Sequence, residues 1–136
     1  MSYAISQALQ TAVFAALSAD VTLSGLIGSN IYDAPPSGTL PETYILLGEE
    51  VVKPKGDMSV DGAVHEIYVS VFSSAAGFSA GKAVAVSVSD VLTDAALSLG
   101  RGQLSSLRFL KARARRGVPP NGRRVDLVFR AYVEDV

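Results

Sequence analysis

The chain has 136 residues, 49% of them apolar and 18% charged, with a formal net charge of −1 at pH 7 and no cysteine. That is the size of one domain with material for a packed core, and it excludes general disorder, disulfides and thiolate metal sites. A near-neutral chain has no whole-molecule field drawing it to DNA or anionic lipid, and no stretch reaches the ~18 continuous apolar residues of a membrane span.

Residues 3–18 predict a helix. Ile5, Ala8, Leu9, Ala12, Val13, Ala16 and Leu17 form its apolar stripe, and Ser2 is placed to cap it. The stripe is one-sided and no basic segment precedes it, which argues against a signal peptide and for assembly in the cytoplasm. Leu23, Leu26 and Ile27, interrupted by Gly25 and Gly28, predict a short turn of helix docking the first. Ile31 and Tyr32 read as a short strand. Pro35, Pro36, Gly38 and Pro41 then impose an irregular extended loop, because proline cannot donate to a strand ladder. Residues 43–48, TYILLG, predict a short buried strand. Residues 49–62, EEVVKPKGDMSVDG, are polar and broken by Pro54, Gly56 and Gly62, and read as a long hairpin arm or loop.

The stretch from Ala63 to Leu99 organises the rest. In residues 63–72, His65, Ile67, Val69 and Val71 share one face, and Val64, Glu66, Tyr68, Ser70 and Phe72 the other. This is a strand buried mainly on one side. After the turn SSAAGFSAG, Ala85, Val88, Val91, Leu92, Ala95, Ala96 and Leu99 recur at three- and four-residue steps, predicting a long helix from near Ala80 with Ser79 as cap and Gly77 at positive φ. LGRGQL turns the chain into a strand over residues 105–116. Strict alternation places Leu107, Phe109, Lys111, Arg113 and Arg115 on one face and Leu110, Ala112 and Ala114 on the other. VPPNG is a strong turn signal, and residues 123–136 alternate again, with Val125, Leu127, Phe129, Ala131 and Val133 on one face. The last two strands therefore form an antiparallel hairpin, and strands 43–48 and 63–72 form another across the arm. The expected fold is α+β: one domain over residues 1–136, a mainly antiparallel sheet with two helices packed on one face.

Catalytic signals are weak. Gly77, Gly81 and Lys82 approach the phosphate-binding pattern G-x-x-x-x-G-K-[ST], but only three residues separate the glycines and Ala83 stands where the metal-binding hydroxyl belongs. His65 is the only histidine and sits within a strand; no HExxH or GxSxG pattern occurs. Glu49, Glu50, Asp57, Asp61 and Glu66 lie near the arm at irregular spacing, which reads as a solvated loop and not a metal site. No catalytic residue, cofactor or metal is expected.

Charge placement is more informative. Lys111, Arg113, Arg115, Arg116, Arg123 and Arg124 gather at one end of the last hairpin. Three readings stand: a phosphate-binding patch lacking interleaved aromatic residues, a solvated tip whose charges block edge pairing, and one half of a contact between copies. In the last, the arm, with Glu49, Glu50, Lys53, Lys55, Asp57 and Asp61, faces the basic hairpin of a neighbour. Such a head-to-tail contact closes into a ring when the rotation allows.

The order of these signals resembles the phage tail-completion and tail-terminator family. Leu23, then Leu26-Ile27-Gly28, then Ile31-Tyr32-Asp33 with Pro36 following, lead to a short strand ending in Gly48-Glu49. The string IYVSVFSSAAGFSAGKAVAVSVSDVL and the closing FRAYVEDV fit as well, although the family usually has tryptophan where this chain has Phe72. The likeness runs over almost the full length. It implies a structural virion protein without catalytic residues or cofactor, forming a ring, typically of six copies, at the head-proximal end of a tail. The ring stops tail-tube growth, contacts the tail-tube protein and the head–tail connector, and lets DNA pass through its lumen; no membrane is involved. Such proteins occur in phages and in phage-derived gene transfer agents. A head-completion (stopper or adaptor) protein and a nucleic-acid-binding module using the basic hairpin, residues 111–124, are the alternatives.

Overall fold

Strand β4 (Gly62–Ser73) is the axis of the fold. Its β-branched run pairs along its whole length with β6 (Arg123–Glu134), antiparallel, from Gly62 opposite Glu134 to Ser73 opposite Arg123. Its other side is shared by two short strands in succession: β2 (Thr43–Leu46) pairs with residues 70–73 and β3 (Glu50–Pro54) with residues 63–67, both antiparallel. Gly48, at φ 117, kinks the chain between them. Its Cα packs beside the Asp33 carbonyl, 3.6 Å from where a Cβ would stand, an ordinary contact, so the constraint on this position is its positive φ. Strand β1 (Ile31–Tyr32) adds to β2 in parallel, and β5 (Gln103–Arg116) adds to β6 antiparallel, giving the order β1-β2-β4-β6-β5 with β3 beside β4. The computed structural model describes residues 3–54, 62–117 and 122–135.

Helices α1 (Ser6–Ala19), α2 (Val21–Ile27) and α3 (Ser79–Leu92) cover one face of this sheet. Leu9, Leu17, Leu23, Val88 and Leu92 from the helices meet Val69, Val71, Phe129 and Ala131 from the sheet, all at or below 1% exposure. Fully burying each larger member of that set contributes roughly 1.5–3 kcal/mol, so this layer holds the domain together. The two inward sets predicted for β4 and β6 are the ones buried. The fold is α+β, with α2 a helix of two turns. It stands at 79° to α1, and Asp20 at the break caps it: the Asp20 carboxylate accepts from the Leu23 amide at 2.9 Å.

Five local expectations are corrected. Helix α1 begins at Ser6 with Ile5 at the cap position, three residues later than expected; Ser2 lies outside the described residues. Helix α3 starts at Ser79, so Ser79 is inside the helix and caps nothing, and Gly77 is not among the residues at positive φ. The same helix stops at Leu92, because Asp94 takes a left-handed conformation (φ 58) and gives its amide to the Leu107 carbonyl at 2.8 Å. Ala95 and Leu99 still pack on the core, but from an extended segment in which Leu97 joins them and the expected Ala96 is exposed, because Ala95 and Leu99, four residues apart, fit period two as well as a helix face. The first half of the arm is strand β3; residues 55–61, with Lys55, Asp57 and Asp61, lie outside the described residues.

The fifth correction matters most for function. Strand β5 carries two bulges against β6, at Ser105 and at Leu110. Each inserts one residue and inverts the faces of the residues beyond it. Leu107 and Phe109 therefore stand opposite Ala131 and Phe129 on the helix side, whereas Lys111, Arg113 and Arg115 stand opposite Val128, Asp126 and Arg124 on the helix-free side. Ala112 and Ala114 take the helix side in place of the cations.

Candidate interaction surface

The helix-free face carries the charge. From β4 it presents Glu66, Tyr68 and Ser70, from β6 Arg124, Asp126 and Arg130, and from β5 Arg108, Lys111, Arg113 and Arg115. Asp126 is the hub. It accepts from Ser70 Oγ at 2.7 Å, Arg124 Nη2 at 2.8 Å and Arg115 Nη2 at 3.2 Å, tying β4, β6 and β5 together. Burial pushes the Asp126 carboxyl up, but the bonds from Arg124, Ser70 and Arg115 outweigh it and hold it below the ordinary aspartate range. Arg130 gives Nη2 to Glu66 at 3.2 Å.

The cross-strand register of the hairpin is costly. Arg108 faces Arg130, Arg115 faces Arg124 and Arg116 faces Arg123. Like charges directly opposite one another destabilise a ladder. Arg124 is relieved by Asp126 and by the Phe72 ring, 4.8 Å away; Arg123 donates to the Ala76 carbonyl at 2.7 Å and lies 5.1 Å from the Phe78 ring. Arg108, Lys111, Arg113 and Arg116 are exposed and have no acidic partner among the described residues. Of the six hairpin cations singled out by sequence, three are thus bound within the fold (Arg115, Arg123, Arg124) and three are available (Lys111, Arg113, Arg116).

The arm divides differently. Glu50 turns inward: one carboxylate oxygen receives the hydroxyls of Tyr3 and Ser6, and the other lies 2.9 Å from His65 Nδ1. Burial raises the Glu50 carboxyl, and the bonds from Ser6, Tyr3 and His65 more than reverse this, leaving it below the ordinary glutamate range. An ionised Glu50 accepts, so Nδ1 carries the proton. His65 is fully buried and its Nε2 has no hydrogen-bond partner among the described residues. Serine, histidine and glutamate meet here in the wrong connectivity for nucleophilic catalysis, because Ser6 Oγ donates to the carboxylate and not to the imidazole. The group is a clasp joining the start of α1 to β3 and β4. Sequence reading missed it, although a histidine on an otherwise aliphatic inward face signals a buried polar group that needs a partner. Glu49 and Lys53 are exposed and have no side-chain partner among the described residues.

The glycine and lysine of the phosphate-loop-like turn lie within and against the fold. Gly81 is buried where α3 crosses the sheet, and a Cβ there would contact Ser73 and Val125 at 3.7 and 3.9 Å. Lys82 rests over the Phe78 ring, 5.6 Å from its centre. No group of three or more potential metal ligands occurs among the described residues, and among them no single helix is long and apolar enough to cross a membrane.

Among the exposed apolar side chains, two groups lie at opposite margins of the sheet. Beside β5, a groove floored by Val125 and Leu127 and flanked by Val86 and Phe109 separates α3 from the strand; Val86 is 59% and Phe109 44% exposed. Beside β1, Phe14, 45% exposed, borders a cleft with Tyr32, Asp33 and Leu47.

Comparison with known proteins gives these surfaces a setting. A solved structure described as the virion of a native gene transfer agent (GTA) particle contains a chain that matches with 50% identity and a TM-score of 0.92, over 98% of this chain and 99% of that one. No curated protein matches. The family model for tail completion protein gp17 matches residues 11–134, and the chain belongs to that family.

Proposed function

We propose that this chain is a structural subunit of a phage-like particle. It completes the tail by forming a ring of copies that caps the tail tube and joins it to the head connector. The observation that carries this reading is the near full-length match to a chain of a gene transfer agent virion, joined to membership of the tail completion family.

The physical logic is one of matched faces. A tube of stacked rings grows because each ring presents the same surface to the next. A terminator fits that surface on one side and presents a different one on the other. Symmetry multiplies each weak contact by the number of copies, so modest patches suffice for a stable cap. The available contact elements are the exposed part of the arm, with Glu49 and Lys53, and the hairpin cations Lys111, Arg113 and Arg116. Lys55, Asp57 and Asp61 complete the proposed arm. Arg115, Arg123 and Arg124 support the hairpin from within.

Particles made without this chain test the reading. Electron microscopy is expected to show heads without joined tails, or tails of uncontrolled length, and genome delivery is expected to be lost. Normal-length tails that still deliver genomes would overturn it.

A further inference from the structure

The two margins of the sheet are complementary. At the β5 margin the helix layer presents Val86 and Phe109, and the sheet presents Arg108, Lys111 and Arg113 without acidic partners among the described residues. At the β1 margin the helix layer presents Phe14 beside Asp33, and Glu49 follows Gly48, which packs against Asp33, while the Glu49 carbonyl takes the Tyr68 amide of β4; both carboxylates are exposed and without basic partners among the described residues. Apolar groups lie on the helix side of both, and the exposed charges are opposite in sign. Among the described strands β5 pairs only with β6; its other edge gives the Leu107 carbonyl to the Asp94 amide, and no strand covers the rest of it. Long open edges are normally shortened, covered or charged. Here the charge comes as three Arg–Arg cross-strand pairs, an arrangement that disfavours the isolated hairpin.

From this geometry we infer that the β5 margin of one copy docks against the β1 margin of the next, with Phe109 and Val86 meeting the Phe14 side of the neighbour and Lys111 and Arg113 meeting its Asp33 and Glu49. The inference rests on the ring reading and names the contact that builds the ring. Margins on opposite sides of one subunit make a head-to-tail contact, the kind that closes into a ring and not a two-fold dimer. Sheet continues into sheet and helix layer into helix layer. A second copy is favoured over nucleic acid because the opposite margin offers both an exposed aromatic side chain, Phe14, for the apolar groove and exposed carboxylates for the cations. The acidic half of the contact differs from the one expected from sequence: Glu50 and Glu66 are bound within the subunit, and Asp33 joins Glu49 in their place.

The cysteine-free chain allows a clean test. Particles carrying the Asp33→Cys, Arg113→Cys double variant are treated with a short bis-maleimide. A ladder of covalent multimers is expected, with none from either single variant. No ladder, a ladder from one single variant, or cross-linking of position 113 to a different particle protein would overturn the proposal. A second measurement uses the purified full chain at rising concentration, by sedimentation. Lys111→Glu with Arg113→Glu, and separately Asp33→Lys with Glu49→Lys, are each expected to raise the concentration needed for association at least tenfold. An equimolar mixture of the two is expected to restore it, because acidic and basic margins then alternate. Failure of the mixture to restore association would also overturn the contact. Failure of the ring reading shows separately, as normal tails in particles that lack the chain.

Discussion

Two regions of this molecule treat charge in opposite ways. At the junction of α1, β3 and β4, Glu50 is held by Tyr3, Ser6 and His65, so every part of that carboxylate is used within the subunit. At the β5–β6 hairpin, arginines face arginines, and Arg108, Lys111, Arg113 and Arg116 find no acid among the described residues. The first pattern is what folding stability favours and the second is what it disfavours. The contrast separates side chains that hold the fold from side chains that address a partner.

That separation fails if core, clasp and hairpin substitutions have similar effects on stability. The largest loss is expected from Phe129→Ala, which removes a fully buried ring packed edge-on against Phe109 and costs about 3–5 kcal/mol, read as a lowered denaturation midpoint. Gly102→Ala comes next. Gly102 sits at φ 72, and a Cβ would stand 2.5 Å from the Glu134 carbonyl oxygen, so strain and overpacking cost more than about 2 kcal/mol by chemical denaturation. Glu50→Ala strands the buried His65 Nδ1 and costs about 1–3 kcal/mol on the same measurement.

Acid probes the same difference. Glu50 and Asp126 both titrate below the ordinary carboxylate range when folded. A depressed folded value contributes stability that is complete above the unfolded value and lost as pH falls through the folded one. Thermal midpoints are therefore expected to stay level between neutrality and about pH 5 and to drop below about pH 4, with a shallower drop in Glu50→Gln. The smallest effect belongs to the hairpin: Arg113→Glu is expected to shift stability by no more than about 0.5 kcal/mol, as for exposed positions generally.

Much of the fold was legible because one rule dominated each element. The inward sets of β4 and β6 follow alternation and are buried, and the α1 stripe follows helical spacing, with Ile5, Leu9, Val13 and Leu17 buried and Ala8, Ala12 and Ala16 partly so. Reading failed where two rules competed. Ala95 and Leu99 satisfy both periods, and the conformation of Asp94 decides between them, burying Leu97 partly and leaving Ala96 exposed. Strand β5 alternates without visible interruption, yet the bulge at Leu110 moves Lys111, Arg113 and Arg115 to the opposite face. A bulge depends on what the partner strand and helix layer accept, and that information is not local. The hairpin cations were visible as a cluster, but which of them are spoken for depends on Asp126, Ala76 and Phe78. The Glu50–His65 clasp joins residues far apart in sequence, and only the fold brings Ser6 and Tyr3 to it.

The most direct measurement of the central claim pairs one variant with one function. Particles are produced with Lys111→Glu, Arg113→Glu in place of the unsubstituted chain, and genome-delivering particles are counted. If this chain works through contacts made by its hairpin, the variant melts at the unsubstituted temperature while delivery falls at least tenfold. Undiminished delivery from a normally folded variant would contradict that account.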